Sequence, residues 1–169
     1  RGDVKPITAA DHWILNKLEQ TQQKISKDLD GYRIADAYST LYHFVWDDLA
    51  DWYIESSKAE PNKPVLAHLL ENVLLLAHPF APFLTETIWQ TLAWENDSIL
   101  ATRILKKPIS SDKNKAADFA EIQKIVTEIR YISNALKVAG LTLYYKEADF
   151  IKDNSDIIKT LARLKDVAQ

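Results

Sequence analysis

Three carboxylates, Asp47, Asp51 and Glu55, recur at every fourth residue, with Asp48 beside them. That spacing puts the three on one face of a helix. Such a row could hold a metal ion or divide acid and base work between two carboxyls. A carboxylate-bridged metal bundle, however, needs Glu-x-x-His pairs on facing helices. The four histidines are His12, His43, His68 and His78, and none follows a Glu by three residues. The row therefore reads as a solvated or salt-bridged face. His78 precedes Pro79 at a helix end, where it would satisfy last-turn carbonyls or pack beside the break. No Cys is present, which removes thiol catalysis and disulfides. No glycine loop that would cradle phosphate appears either. The chain reads as non-catalytic, with no metal or cofactor site of its own.

The same region is rich in rings. Trp46, Trp52, Trp89 and Phe83 stand at helical spacing and read as core aromatics first. For an exposed one, the alternative is a platform on which RNA bases stack. Arg33 and Lys58 lie at opposite ends of one long predicted helix. They read either as phosphate or base contacts or as ordinary surface charges.

These residues need long helices to position them. Only three Gly and six Pro occur in 169 residues, which favours helices over many short strands. A first helix is predicted over residues 11–30, with N-cap candidates in 8–11 and a buried stripe of Ile14, Leu18, Ile25 and Leu29, flanked by Trp13. Gly31 is expected to supply a left-handed stop. A second helix spans 33–59, with Ile34, Tyr38, Leu41, Val45, Leu49 and Trp52 as its apolar face. Residues 60–64, with two Pro, break it. A third helix, 65–77, is apolar on more than one face and so belongs in the middle of a bundle. A fourth, 82–93, turns Phe83, Ile88, Trp89 and Leu92 inward. Residues 95–115 form a polar connection, with short extended pieces at Ile99-Leu100 and Ile104-Leu105 and a boundary near Lys106-Lys107-Pro108. A fifth helix, 115–139, buries Phe119, Ile122, Ile125, Val126, Ile129, Ile132 and Leu136 and stops at Gly140. One strand, 141–145, and a last helix, 155–164, follow.

The hydrophobic share of 47% suits an ordinary globular domain. The net charge of −3 weighs mildly against nucleic acid, since binders are usually basic. No apolar run is long enough to span a membrane. The chain opens on Arg1-Gly2-Asp3 and holds no Met, so it reads as a piece of a longer protein, of cytoplasmic origin.

Two motifs carry a resemblance. Trp46-x-x-Leu49-x-Asp51-Trp52-Tyr53-Ile54-Glu55-x-x-Lys58 resembles a signature in the anticodon-binding helical bundle of valyl-tRNA synthetases. His78-Pro79-Phe80-Ala81-Pro82-Phe83-Leu84-Thr85-Glu86-x-x-Trp89-Gln90 resembles a second, in the right order. Glu128-Ile129-Arg130, then Gly140 and a strand, is similar to the segment after that bundle. The resemblance implies an all-α fold: an antiparallel bundle of four long helices with a small C-terminal helix–strand–helix appendage. Its parts would be a linker at 1–10, the bundle at 11–94, a connection at 95–114 and the appendage at 115–169. It implies a partner, the anticodon arm of valine tRNA, and a catalytic domain of the same parent chain, with no membrane. The parent would join valine to its tRNA using ATP with Mg2+, through motifs this chain lacks. At the position of Ile54 the family places an apolar contact near an anticodon base. Tentative tRNA-binding residues are thus Ile54, Arg33 and Lys58. The alternatives are the same domain of an isoleucyl- or leucyl-tRNA synthetase, favoured less by Asp51-Trp52-Tyr53, and a helical protein-interaction module without an RNA role, favoured by the acidity.

Overall fold

The computed structural model describes residues 3–58, 61–94, 100, 105 and 108–169. The expected break at Glu60, the extended pieces at Ile99 and Ile104 and the boundary at Lys106-Lys107 lie outside those residues. Among the described residues the chain is mostly helical, with one two-stranded sheet.

Helix α1 is Ala9–Asp30. Thr8 opens it with a reciprocal box: the Asp11 N–H donates to Thr8 Oγ1 (3.1 Å) and the Thr8 N–H to Asp11 Oδ2 (3.1 Å). Ile14, Leu18 and Ile25 are buried, as their spacing predicts, and Leu29 is partly so. The helix stops differently from the expectation. Gly31 has φ −90, and Tyr32 takes the left-handed conformation, φ 57. Gly31 matters for room instead, because a Cβ there would come within 2.6 Å of Arg33 Nη1. That space lets Arg33 fold back onto Asp28, to which its Nη2 donates at 2.7 Å.

The second rod is continuous but not uniform. Helix α2, Ile34–His43, passes into a π-helical segment, Phe44–Ile54. The buried residues of that segment are Phe44, Leu49 and Tyr53, spaced five and four apart. A turn of 3.6 residues would scatter them around the helix, whereas turns closed by i→i+5 bonds bring them to one face. The predicted apolar face is therefore half right. Leu41 and Leu49 are buried and Val45 and Trp52 are partly so, but Ile34 and Tyr38 are exposed. Ala37, Leu41 and Phe44 take the inner face in their place.

Helix α3 is Lys63–Ala77 and α4 is Pro82–Leu92. Asn62 caps α3 by accepting the Val65 N–H (3.4 Å), and a Pro sits in the first turn of each helix. At the break between them His78 Nδ1 meets Thr85 Oγ1 at 2.8 Å, so the ring bridges two helices rather than capping carbonyls. Trp89 is buried beside Leu74 and Leu100. Phe83 is 87% exposed, against expectation. Thr85 and Trp89 set the inward face of α4, and Phe83, six residues before Trp89, falls on the outer flank.

Helix α5, Lys113–Leu136, packs along α1, with the Trp13 and Phe119 rings 5.0 Å apart. Phe119, Ile122, Val126 and Ile129 are buried, but Ile132 and Leu136 are exposed, because the last turns run past the core that covers the rest. The helix ends on Lys137 in the left-handed conformation, before Gly140 is reached. The C-terminal part is richer than one strand and one helix. Strand β1 (Thr142–Tyr144) is followed by α6 (Asp149–Asp153), α7 (Ser155–Ala162) and an unexpected β2 (Asp166–Ala168). The two strands pair in parallel, Leu143 opposite Val167, with the two short helices forming the crossover that parallel strands need. Asp166-Val167-Ala168 carries no strand pattern of its own, so only pairing reveals it.

One buried polar knot joins four segments. Asp11 is almost fully buried, and Tyr53 donates its hydroxyl to Asp11 Oδ1 at 2.6 Å. Asp11 Oδ2 accepts the Ile7 N–H (2.9 Å), the Thr8 N–H and the Asn62 amide (2.9 Å). Burial first, and then Asp11, push the Tyr53 phenol above its ordinary range, which keeps it a neutral donor. Tyr53→Phe should cost about 1–3 kcal/mol, since it strips a donor from a buried carboxylate. Urea unfolding measures this, and a midpoint unchanged from wild type would show that the other three donors suffice.

His12 ties α5 to α1 by accepting the Asp112 N–H on Nδ1 (3.0 Å), so that nitrogen carries no proton. Burial first, then the Lys115 charge, lower its pKa below 6.5. The unfolded chain then takes up this proton at higher pH than the folded one. The stability from His12 is full above about pH 6.5 and is lost as pH falls below it. Tm should fall between about pH 7.5 and 5.5, and His12→Gln, which keeps an acceptor without titrating, should flatten that slope.

Candidate nucleic-acid interface

Tyr38, Tyr42 and Trp46 follow one another at every fourth residue on the outer side of the second rod, and all are exposed. The Tyr42 and Trp46 rings lie parallel (6°) with centroids 6.3 Å apart. Tyr38 meets Phe80 of the α3–α4 corner edge-on at 5.7 Å. Trp46 is 60% exposed, so it is not the core residue its spacing suggested. Phe44, Leu49 and Tyr53 fill the inner face, which leaves Trp46 on the opposite side. Of the rings singled out in the sequence, Trp13 and Trp89 are core, Trp52 is half-buried, and Trp46 and Phe83 face solvent.

The carboxylates are mostly engaged, as a salt-bridged face requires. Asp47 pairs with His43 (2.8 Å), Asp48 with Lys17 (3.5 Å) and Glu55 with Lys58 (2.7 Å). Partial burial, the largest cause, pushes the Asp48 carboxyl above its usual range despite Lys17. Among the described residues no group of three His, Asp or Glu is gathered as a metal would need. Asp51 makes no hydrogen bond or ion pair with any described residue and lines a cleft.

The three tentative contact residues do not converge. Arg33 is held at the α1–α2 corner by Asp28, with Asp36 at 3.7 Å. Hydrogen bonds from Lys24 first and then Arg33 hold the Asp28 carboxyl below the usual carboxylate range. Ile54 closes the π segment and is 41% exposed. Lys58 is exposed four residues on, paired with Glu55. Arg33 and Lys58 are separated by a helical rod on the order of 30 Å long, so one RNA feature cannot meet both.

A cleft opens beside Asp51 and Glu55, on either side of Ile54 in the chain. It holds about 570 Å³ between the π segment and the C-terminal ends of α5 and α7. Asp51 and Glu55 form one wall, Ser133 and Asn134 another, and Thr160 and Arg163 a third. Arg130 lines it too, with its guanidinium 5.1 Å from the centre of the Trp52 ring. Arg130 Nε and Nη2 both donate to the Leu161 carbonyl, at 3.1 and 2.8 Å. In the sequence Arg130 stood only within a helix motif, and Asn134 and Arg163 showed no signal at all, being polar residues at helix ends.

Comparison with known proteins adds the following. Residues 11–143 match a family described as the anticodon-binding domain of tRNA ligase. A valine--tRNA ligase of Mycobacterium leprae (strain TN) is 42% identical over 130 residues, covering 73% of this chain and 15% of that protein. A valine--tRNA ligase of Geobacillus stearothermophilus is 36% identical over 156 residues, covering 84% of this chain and 18% of its own length. One from Corynebacterium glutamicum is 30% identical over 178 residues, covering 94% of this chain and 20% of its own length. The chain thus spans a fifth or less of these relatives.

The two sets of aromatics should separate by mutation. Trp46→Ala is expected to change stability by less than about 1 kcal/mol and Trp89→Ala to cost about 3–5 kcal/mol. Thermal melts of both variants check this, and a large loss at Trp46 would show that it is packed.

Proposed function

Since the chain belongs to the family of anticodon-binding domains of tRNA ligases, we propose that it grips the anticodon arm of valine tRNA for a valine–tRNA ligase. The observation that carries this is the match over residues 11–143, together with relatives named valine--tRNA ligase that align along most of the chain. Those names also favour valine over isoleucine or leucine, and an RNA role over a helical protein-interaction module. In the parent, a separate catalytic domain would join valine to tRNA with ATP and Mg2+, in the cytoplasm. The share of this domain is positioning: holding one end of the tRNA places the other at the distant reacting centre.

We read residues 11–94 as the RNA-facing antiparallel bundle and 115–169 as an appendage docked on it through α5, with 95–114 between them. Within 11–94 the fourth helix is α4, with 11 residues, while α5, with 24, lies in the appendage and packs along α1. Ile54, exposed at the end of the π segment, is the favoured base contact. Trp46, open on one side, offers a face for stacking. Arg33 and Lys58 are weaker choices, because each must first leave a carboxylate.

The test is binding of valine and isoleucine tRNA transcripts to this chain at low and moderate salt. Valine tRNA is expected to bind tighter, and affinity to fall steeply as counterions are restored. A flat salt response would overturn the RNA reading, and equal binding of the two would overturn the choice of valine. Ile54→Asp should weaken binding with helical circular dichroism intact, whereas lost helicity would make Ile54 a packing residue.

A further inference from the structure

Two of the residues offered to an RNA, Ile54 and Lys58, lie in the chain between two donors to one buried carboxylate, that of Asp11. Before them, Tyr53 gives its hydroxyl to Asp11 Oδ1 (2.6 Å). After them, the Asn62 amide donates both to Asp11 Oδ2 (2.9 Å) and to the Lys5 carbonyl (2.9 Å). The Tyr53 carbonyl is held as well, by the Ser57 N–H (3.0 Å) and the Ser56 hydroxyl (2.9 Å). On the other side of the carboxylate stands the approach to α1. The Ile7 and Thr8 N–H groups donate to Asp11 Oδ2, the oxygen that Asn62 also uses. Ile7 is 74% exposed, so its backbone, not its side chain, ties it down. One carboxylate thus holds the stretch that carries Ile54 and, in the same grip, the chain that leads into α1.

Such bonds are set to open as one unit. Tyr53 and Ile54 are successive residues, so a backbone rotation that lifts the phenol from Asp11 also swings Ile54. A buried carboxylate stripped of that donor is costly where it stands. Turning it toward water relieves the cost and frees the Ile7 and Thr8 N–H groups. Local openings run in cooperative units of this kind. A partner seated on Ile54 binds the closed arrangement and so lowers the population of the open one. We propose that the Asp11 carboxylate couples occupancy of the Ile54 surface to the order of residues 5–8, with Tyr53 and Asn62 as the positioning residues that carry the coupling. The approach to α1 stiffens when RNA is held, and any part of a longer parent joined there is oriented by it. This rests on the RNA-binding reading and adds to it a route by which contact at Ile54 is felt elsewhere in the chain.

The test is hydrogen exchange at single amides of the whole chain, with and without a saturating valine tRNA transcript. Bound RNA should slow exchange at Ile7 and Thr8 about tenfold, the size of an ordinary coupling between two sites. Tyr53→Phe keeps the ring and removes the hydroxyl, and Asn62→Ser keeps a cap for α3 and removes the amide. In either variant the slowing should shrink below about twofold with the RNA still bound. A Tyr53 that merely stabilises the fold would leave the slowing intact, and so would RNA that covers Ile7 and Thr8 directly. Exchange at these two amides that ignores bound RNA, or slowing kept in full by the variants, overturns the coupling and leaves the RNA-binding role standing. The first of those results comes from the unaltered chain and needs no variant to fold. If the transcript does not bind in a salt-sensitive way, the RNA-binding role falls, and the coupling with it.

Discussion

The buried carboxylate of Asp11 is the constraint around which the fold is arranged. A carboxylate almost wholly removed from water is costly unless its lone pairs are filled. Here they are filled by four donors from three segments: the adjacent Ile7 and Thr8 before α1, Tyr53 at the end of the second rod and Asn62 in the loop before α3. Tyr53 and Asn62 are far in sequence from Asp11 and from each other, so satisfying one charge fixes how their segments meet α1. It fixes direction as well. Tyr53, at the far end of the second rod, must come back to the first turn of α1, and Asn62 must start α3 at the same level. The bond from Gln22 to Asn72 (2.8 Å) then holds α1 and α3 together further along.

The π-helical segment follows from the same demand. Tyr53 has to reach Asp11 while Phe44 and Leu49 enter the core, and an α-helical turn would not place all three on one side. Widening the turn resolves the conflict and has a consequence on the outside. Tyr38, Tyr42 and Trp46 are left as an exposed ladder of rings, while Asp51 and Glu55 are turned toward the end of α5. The inner packing of one rod thus selects which side chains are offered to a partner.

Charge supports this reading of the surface. Lys17, Lys24, Arg33, Lys58, Lys124 and Lys159 each hold a carboxylate of the same chain. These six are spread from α1 to α7, and the net charge is −3. Under the proposed RNA role, the phosphate contacts behind a steep salt response, where these six make them, would have to come from cations that first leave a carboxylate. Phosphate contacts of that kind would position an RNA, and base contacts would specify it.

Much was legible in the residues themselves. Local rules govern helix starts and breaks, so Thr8, the Pro pairs and the periodic stripes of α1 and α5 marked most elements within a few residues. The motifs around Trp52 and His78 pointed to the family, because side chains that serve a common fold keep their spacing. What could not be read was which face of an amphipathic rod wins. Ile34, Tyr38, Trp46 and Phe83 are as apolar as their buried neighbours, and only competition for the space against α1 and α3 sent them outward. Strand β2 and the Arg130–Trp52 pair were equally silent, since each exists through a partner distant in sequence. Local propensity is written in the chain one segment at a time. Long-range pairing and the choice of a buried face are decided only when the segments pack and one buried carboxylate has to be satisfied.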